Sequence, residues 1–439
     1  MRSFLRIWVG QLVSTLGSYM TVFALMIWVW QQTESATTLA LVSFFSQMPR
    51  IFITPVAGII VDRFDRKRLM ILGDVMALLA TLAIALLYLT DVLQIWHLYG
   101  AVAVYGCFGQ IQNLAYSTSI ALLVPKAQYT RAESMVAAVN YSGAIFSPIL
   151  AGGLYPIIGL SGVFAIDLTT FLIAFGTLLS VTIPKPETLP SLEKAAQDTA
   201  PLKRKLTYGF RYIAARPGLI AMVIAFSLFA IPNDISKALY NPMILARSGG
   251  DARILGMVTT AAGIGGVLGA VGISAWGGFK RKINGMLVGF AIAGFFKIIL
   301  GLGQSPWIWI AAHLCSTLAV PLFYSSSNAI WYAKVSPSSQ GRVLAADQMI
   351  GLVIGAIAPL MAGPLADYVL EPAMSADGWL TPIFGPIIGT GPGAGIALLY
   401  AIMALMMVLV GLGGYMVHTL RNVESILPDH DEETVASMH

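Results

Sequence analysis

Twelve stretches of about 20 mostly apolar residues follow one another along this chain, each with few charges inside it. In hydrocarbon a backbone must satisfy its own N–H and C=O groups, so every such stretch is confined to a helix. The runs cover approximately 4–30, 38–61, 69–90, 95–123, 131–157, 162–183, 217–245, 253–276, 283–303, 306–333, 343–369 and 393–417. Of the 439 residues, 57% are hydrophobic and only 11% are charged, whereas a soluble domain carries about 25% charge. The chain therefore reads as an all-α polytopic membrane protein with twelve transmembrane helices. The first run is too long for a signal-peptide core of about 7–15 residues, so it is expected to be a retained helix. Cys107 and Cys315 lie singly inside apolar runs and suggest packing, not a disulfide or a metal site.

Basic residues set the orientation. With the N-terminus inside, the inner turns hold Arg63, Arg66, Lys67 and Arg68, then Lys126 and Arg131, then Lys280, Arg281 and Lys282, then Lys334 and Arg342. The outer turns hold little besides Arg247 and Arg253, so both termini are expected in the cytoplasm and the protein in the plasma membrane. One long polar break interrupts the pattern. Pro184, Pro186 and Pro190 stop the sixth run, and Lys203, Arg204, Lys205, Arg211 and Arg216 make the segment basic, as suits topology and anionic headgroups. The expected domains are an N-terminal half (1–183), a linker (184–216), a C-terminal half (217–418) and a tail (419–439).

The halves repeat one another. Arg131, Pro148 and Gly152 recur at the same intervals as Arg342, Pro359 and Gly363. The turn Gly58-Ile-Ile-Val-Asp62-Arg63-Phe-Asp65-Arg66-Lys67-Arg68 is echoed by Gly272 to Lys282, without the Asp-Arg pair. A basic cluster alone would anchor topology. Asp62 weakens such an anchor, so Gly58, Asp62, Arg63, Arg66 and Asp74 are read as a conformational latch of contacts made in one conformer and broken in another.

Two parallel six-helix halves with a mid-membrane site is an architecture of secondary transporters. Gly58 to Arg68 is similar to the loop signature of the major facilitator superfamily. Gly10-Gln11 with Ser14 and Gly17, Pro55 to Arg68, and Ala362-Gly363-Pro364-Leu365-Ala366-Asp367 resemble the branch that contains macrolide-efflux proteins and the enterobactin exporter. This resemblance implies the fold of two pseudo-symmetric six-helix bundles and efflux as the direction. It also implies a cavity walled by spans 1, 4, 7 and 10, which supply Gln11, Tyr19, Gln112, Asn113, Tyr116, Tyr240, Asn241, Tyr324, Asn328 and Trp331. The fifth-span run around Gly143, Pro148 and Gly152 is similar to an exporter-associated motif, with Ser147 where Gly is usual. Its small residues and Pro kink fit a pivot against a partner helix.

Ionisable residues deep in lipid are functional candidates, because each costs about 2.5–3.5 kcal/mol at a helix centre. Asp234 and Lys237 share one face of the seventh span, and Arg50 sits mid-way along the second. These three are the proton-coupling or ion-pair candidates. Asp347, like Asp74, is placed near an inner helix end, Glu133 at a helix start, Asp167 near an outer end, Lys297 snorkelling from a peripheral helix, and His313 in packing. The apolar segment between spans eleven and twelve, about 370–392, is expected to rest at the outer membrane face.

Aromatics mixed with neutral polar groups suit an amphipathic small molecule better than a small anion. The expected activity is proton-coupled efflux by alternating access, with protons, the substrate and membrane lipids as partners, no nucleic acid, and a monomeric protein. A lipid or lysolipid translocator is the alternative within the same fold. A polytopic membrane enzyme is the alternative of another class, and none of the five histidines is spaced as a ligand set for it. Gly389 to Gly395 lacks the preceding strand and following Lys-Ser/Thr of a phosphate loop, and no cofactor or metal is implied.

Overall fold

Helices account for all the regular structure among the described residues of the computed structural model, which are 2–125, 128–181 and 202–426. In chain order they are α1 (Arg2–Thr33), α2 (Ala36–Arg63), α3 (Arg66–Leu89), α4 (Ile95–Leu123) and α5 (Tyr129–Leu179). Then follow α6 (Leu202–Ala214), α7 (Pro217–Arg247), α8 (Ala252–Trp276) and α9 (Lys282–Leu302). The tenth span comprises α10 (Pro306–Leu318) and α11 (Val320–Lys334). After it come α12 (Pro337–Pro364), a π turn (Leu365–Leu370), α13 (Glu371–Ala373), α14 (Thr381–Ile388), α15 (Ala394–Gly413), α16 (His418–Arg421) and α17 (Val423–Ile426).

Packing divides the chain into two compact units. The first is Met1–Leu189 with Asn241–Thr260 and Ala362–Asp367; the second is Pro190–Tyr240, Ala261–Met361 and Tyr368–His439. Short pieces of α7, α8, the end of α12 and the π turn fall with the N-terminal residues in the first unit.

In the first unit α1 is clasped by both arms of α5, which meet at Gly159. That residue has φ 64° and ψ −174°, a backbone state open to glycine at no steric cost. The arm before it runs alongside α1, with the Ser147 Oγ donating to the Leu16 carbonyl at 2.9 Å and the Tyr155 Oη to Gln31 Oε1 at 2.7 Å. The arm after it returns along α1, and a methyl group on Gly17 would sit 3.1 Å from the Asp167 Cα. Spans five and six are thus a hairpin turned by one residue, where a short loop at 158–161 was expected.

The tenth span also departs from expectation, because it breaks at Ala319–Val320. Pro321 has no N–H to continue the ladder of α10, and serves instead in the first turn of α11, where that donor is not needed.

The second unit is built on an aromatic cluster. Phe229 of α7 and Phe290 of α9 stack with centroids 3.8 Å apart, and Phe323 of α11 meets Phe229 edge-on at 5.0 Å. The linker helix α6 docks on α12: the Tyr208 and Ser339 hydroxyls are 3.0 Å apart and the Arg342 guanidinium lies 4.3 Å over the Tyr208 ring. The side chains of Lys203, Arg204 and Lys205, and residues 182–201, lie outside the described residues. The segment expected to rest as a flap folds as α13 and α14, held by Gln304 donating to the Ile387 carbonyl at 3.3 Å.

Several helix starts are capped by carboxylates distant in sequence. Asp367 accepts from the Ser35 hydroxyl at 2.7 Å and the Ala36 and Thr37 amides at 3.0 and 2.8 Å, all at the start of α2. Glu424 accepts from the Lys282 and Ile283 amides at 3.0 and 3.1 Å, at the start of α9. Glu371 accepts from the Ile396 amide at 3.0 Å, at the start of α15. Removing a capping group costs about 1 kcal/mol. Glu424→Ala is therefore expected to lower the detergent melting temperature measurably, and an equal Tm would show that α16 and α17 do not hold α9.

Candidate functional site

Two groups of charged side chains set among the helices are the candidates for chemistry, one in each unit. In the first unit α1, α2, α3, α4 and the second arm of α5 surround a cavity of about 410 Å³. Most of its wall is aliphatic, from residues such as Val22, Leu25, Leu78 and Leu168. Arg50 faces it from α2, Asp167 from α5, Tyr19 from α1 and Tyr105 from α4. Asp167 is only 4% exposed and its Oδ1 accepts from the Ser18 hydroxyl at 3.1 Å. The buried Nε of Arg50 has no hydrogen-bond partner among the described residues. Tyr105 stands in the electrostatic field of both groups.

Asp167 was set aside as an outer-end residue, and the structure brings it to the same cavity as Arg50. The signal that would have found it is a small residue on each neighbouring helix: Gly17 of α1 lets the Asp167 backbone of α5 approach, and Gly106 of α4 does the same for α2 at Ser46. The place of an added Cβ at Gly106 is taken by the Ser46 carbonyl oxygen, with the Arg50 Cγ 3.8 Å away.

In the second unit the Lys297 ammonium of α9 donates to Asn233 Oδ1 at 2.7 Å, and the Asn233 amide reaches Asp234 Oδ1 at 3.4 Å. Lys297 does not snorkel outward; an acceptor within the bundle offsets part of its desolvation. Asn233 thus links Lys297 to Asp234, so a second base stands by the acid beside Lys237, which follows it by three residues on α7.

The signature turn braces the first unit internally. Asp65 caps α3 through the Arg68 amide at 3.0 Å, and an Arg66 Nη donates to the Thr118 carbonyl of α4 at 2.8 Å. Lys67 Nζ donates to the Leu179 and Val181 carbonyls at 3.1 and 2.5 Å, closing the end of α5. Arg63 is exposed, and Gly58 has no neighbour within 4 Å of an added Cβ. Asp62 stands in the last turn of α2, and its side chain, like that of Glu133, lies outside the described residues. Asp74 is buried and accepts from the Gln112 amide, which turns Gln112 toward α3 rather than a cavity.

Around the fifth-span motif the structure shows a close helix crossing within the first unit. A methyl group on Gly152 would sit 2.6 Å from the Ala252 carbonyl oxygen, and one on Gly256 2.5 Å from that of Pro148. The Thr260 hydroxyl donates across the crossing to the Ile145 carbonyl at 2.8 Å. Gly143 faces α1, 3.1 Å from the Thr15 Cγ2 on the same measure.

The residues named for a cavity wall separate. Tyr19 lines the cavity described above, while Asn113, Tyr324 and Asn328 are exposed and Gln11 is half-buried. Tyr116 and Trp331, at 8% and 2% exposure, belong to the apolar cores of the two units. Tyr240 packs on His313, ring centroids 4.4 Å apart. Asn241 donates to the Met26 sulfur at 3.2 Å. Helical position alone does not reveal which face of a span meets its neighbours, and large aromatics go where burial is greatest.

Long apolar helices with paired internal charges and a mostly apolar cavity define a membrane-embedded transporter rather than an enzyme. Residues 7–359 match the Major Facilitator Superfamily, and the chain belongs to that family. It is 24% identical to macrolide efflux protein A of Streptococcus pyogenes over 364 residues, 81% of this chain and 88% of the relative. It is 23% identical to the multidrug efflux pump Tap of Mycolicibacterium fortuitum over 371 residues, 80% and 86% of the two chains. A bacterial homologue of the iron transporter ferroportin, solved in an inward-facing state, shares the fold with a TM-score of 0.68 at 12% identity, over 97% of this chain and 99% of that one. A bacterial homologue of the human lysosomal transporter Spinster superposes with a TM-score of 0.64 at 15% identity, over 97% and 95%.

The Asn233 bridge has a measurable consequence. Asn233→Leu leaves Lys297 without its acceptor, which is expected to cost about 1–3 kcal/mol and to depress the Tm. Asn233→Leu combined with Lys297→Leu should recover most of the loss; no recovery would rule out the bridge as its cause.

Proposed function

We propose that this protein is a proton-coupled exporter of amphipathic small molecules across the bacterial plasma membrane, acting as a monomer with both termini in the cytoplasm. The observation that carries the reading is the cavity of the first unit, whose wall is mostly apolar, with hydroxyl and amide side chains and one charge of each sign among it. Such a lining gives an amphipathic guest apolar contact over most of its surface and polar groups that orient it. The names of the macrolide and multidrug efflux relatives, each matched along most of its length, support the outward direction.

Coupling falls to the Asp234 cluster. With two lysines against one carboxylate, protonation of Asp234 raises the net charge of the cluster, and a change of conformation that moves either lysine alters that cost. One charge crossing 100 mV contributes about 2.3 kcal/mol, enough for accumulation of tens-fold without ATP. Alternating access would break and remake the contacts of the Gly58–Arg68 turn and use the Gly152–Gly256 crossing as a pivot.

A lipid or lysolipid translocator is favoured by one specific feature, an apolar groove of about 640 Å³ in the second unit between α7 and α15, lined by residues such as Ile224, Leu228 and Leu409. Uptake of ethidium into inverted vesicles separates the readings. We expect uptake that requires the pH gradient and falls at least about tenfold in Asp234→Asn. Uptake that survives collapse of the gradient would remove proton coupling. Movement of a fluorescent phospholipid without movement of ethidium would replace the exporter with the translocator.

A further inference from the structure

The cavity of the first unit holds two opposite charges that do not satisfy each other locally. Asp167 accepts from the Ser18 hydroxyl, with the Thr21 and Thr81 hydroxyls beside it and no cation on it, and Arg50 keeps its buried Nε without a partner among the described residues. A structural ion pair in a low-dielectric interior is stable only where its geometry is close and its remaining donors are met. Here a space of about 410 Å³ lies against both groups, far more than the roughly 30 Å³ share of one water molecule. Aliphatic side chains from α1, α3 and α5 line that space, so a water cluster filling it would face mostly apolar wall.

We propose that this cavity is a binding site for a zwitterionic amphiphile, with its cationic amine against Asp167, its anionic group against Arg50 and its apolar body along the aliphatic wall. This rests on the exporter reading and narrows its substrate class. A purely cationic guest would satisfy Asp167 and stand in the repulsive field of Arg50; a purely anionic guest would do the reverse. Only a molecule carrying both charges desolvates neither group without compensation. Tyr105, acted on by both charges, and Tyr19 on the facing helix add an aromatic surface to the same space.

The test is equilibrium binding of norfloxacin, a zwitterion near neutral pH, and of ethidium, a permanent cation, to the purified full-length protein in lipid nanodiscs. Norfloxacin is expected to bind and to weaken at least about tenfold in both Arg50→Gln and Asp167→Asn. Ethidium is expected to weaken only in Asp167→Asn and to strengthen in Arg50→Gln. Ala101→Leu, which fills the cavity without touching either charge, should weaken norfloxacin as well. Arg50→Lys and Asp167→Glu keep the charges, and retained binding there shows that the losses are not failures to fold. Norfloxacin binding unchanged in both neutral variants, or lost only in Asp167→Asn, overturns the proposal. Gradient-driven ethidium export without norfloxacin binding overturns the proposal and leaves the exporter reading intact; norfloxacin bound with both charge dependences and no export of either probe does the opposite.

Discussion

Every helix start exposes about four backbone N–H groups with no partner in their own helix, and side chains, other segments or water must meet them. Much of this structure follows from how those donors are met. At α3 the helix supplies its own cap, Asp65. At α2 the local cap, Ser35, is itself held by Asp367, which also takes two amides from the same turn. At α9 the local residue, Arg281, offers no acceptor, and Glu424 serves from near the C-terminus. The carboxylates also meet the partial positive charge of the helix start, so one group answers both the hydrogen-bonding and the electrostatic demand.

The two signature turns are best compared in these terms. In the first, one short sequence caps α3 through Asp65, reaches α4 through Arg66 and closes α5 through Lys67. In the second, Arg281 precedes the helix where Asp65 stands in the first, and other residues make the contacts. Arg281 donates to the Arg421 carbonyl at 2.8 Å, Lys334 to the Glu424 carbonyl at 2.6 Å, and the Glu424 carboxylate caps α9. The repeat has thus kept the mechanical result and changed its source, from a loop in one unit to the C-terminal helices α16 and α17 in the other.

The membrane class, the family and nearly all the spans were legible in the sequence, because lipid imposes a long apolar run on each helix. Contacts between helices were less so. Asp167 and Arg50 are separated by 117 positions, and no periodicity links them. Lys297 looked peripheral, and its inward turn depends on Asn233, a residue that attracted no notice beside Asp234. Tyr116 and Trp331 carried the polar-aromatic signature of a wall yet lie in cores, since each ring buries more apolar area than its one polar atom costs. The interruption of the tenth span was not foreseen, although its cause, the missing donor of Pro321, is a local property of the sequence.

Gly159 joins two membrane-length helical arms with a single residue, and both arms grip α1 along much of its length. Such a join has no slack. Where a longer loop would absorb inserted residues by bulging into solvent, here any added length must slide one arm past the other and carry the grip on α1 with it. In the currency of evolutionary change the hairpin is therefore a ruler: the lengths of the fifth and sixth spans are tied to one another through α1.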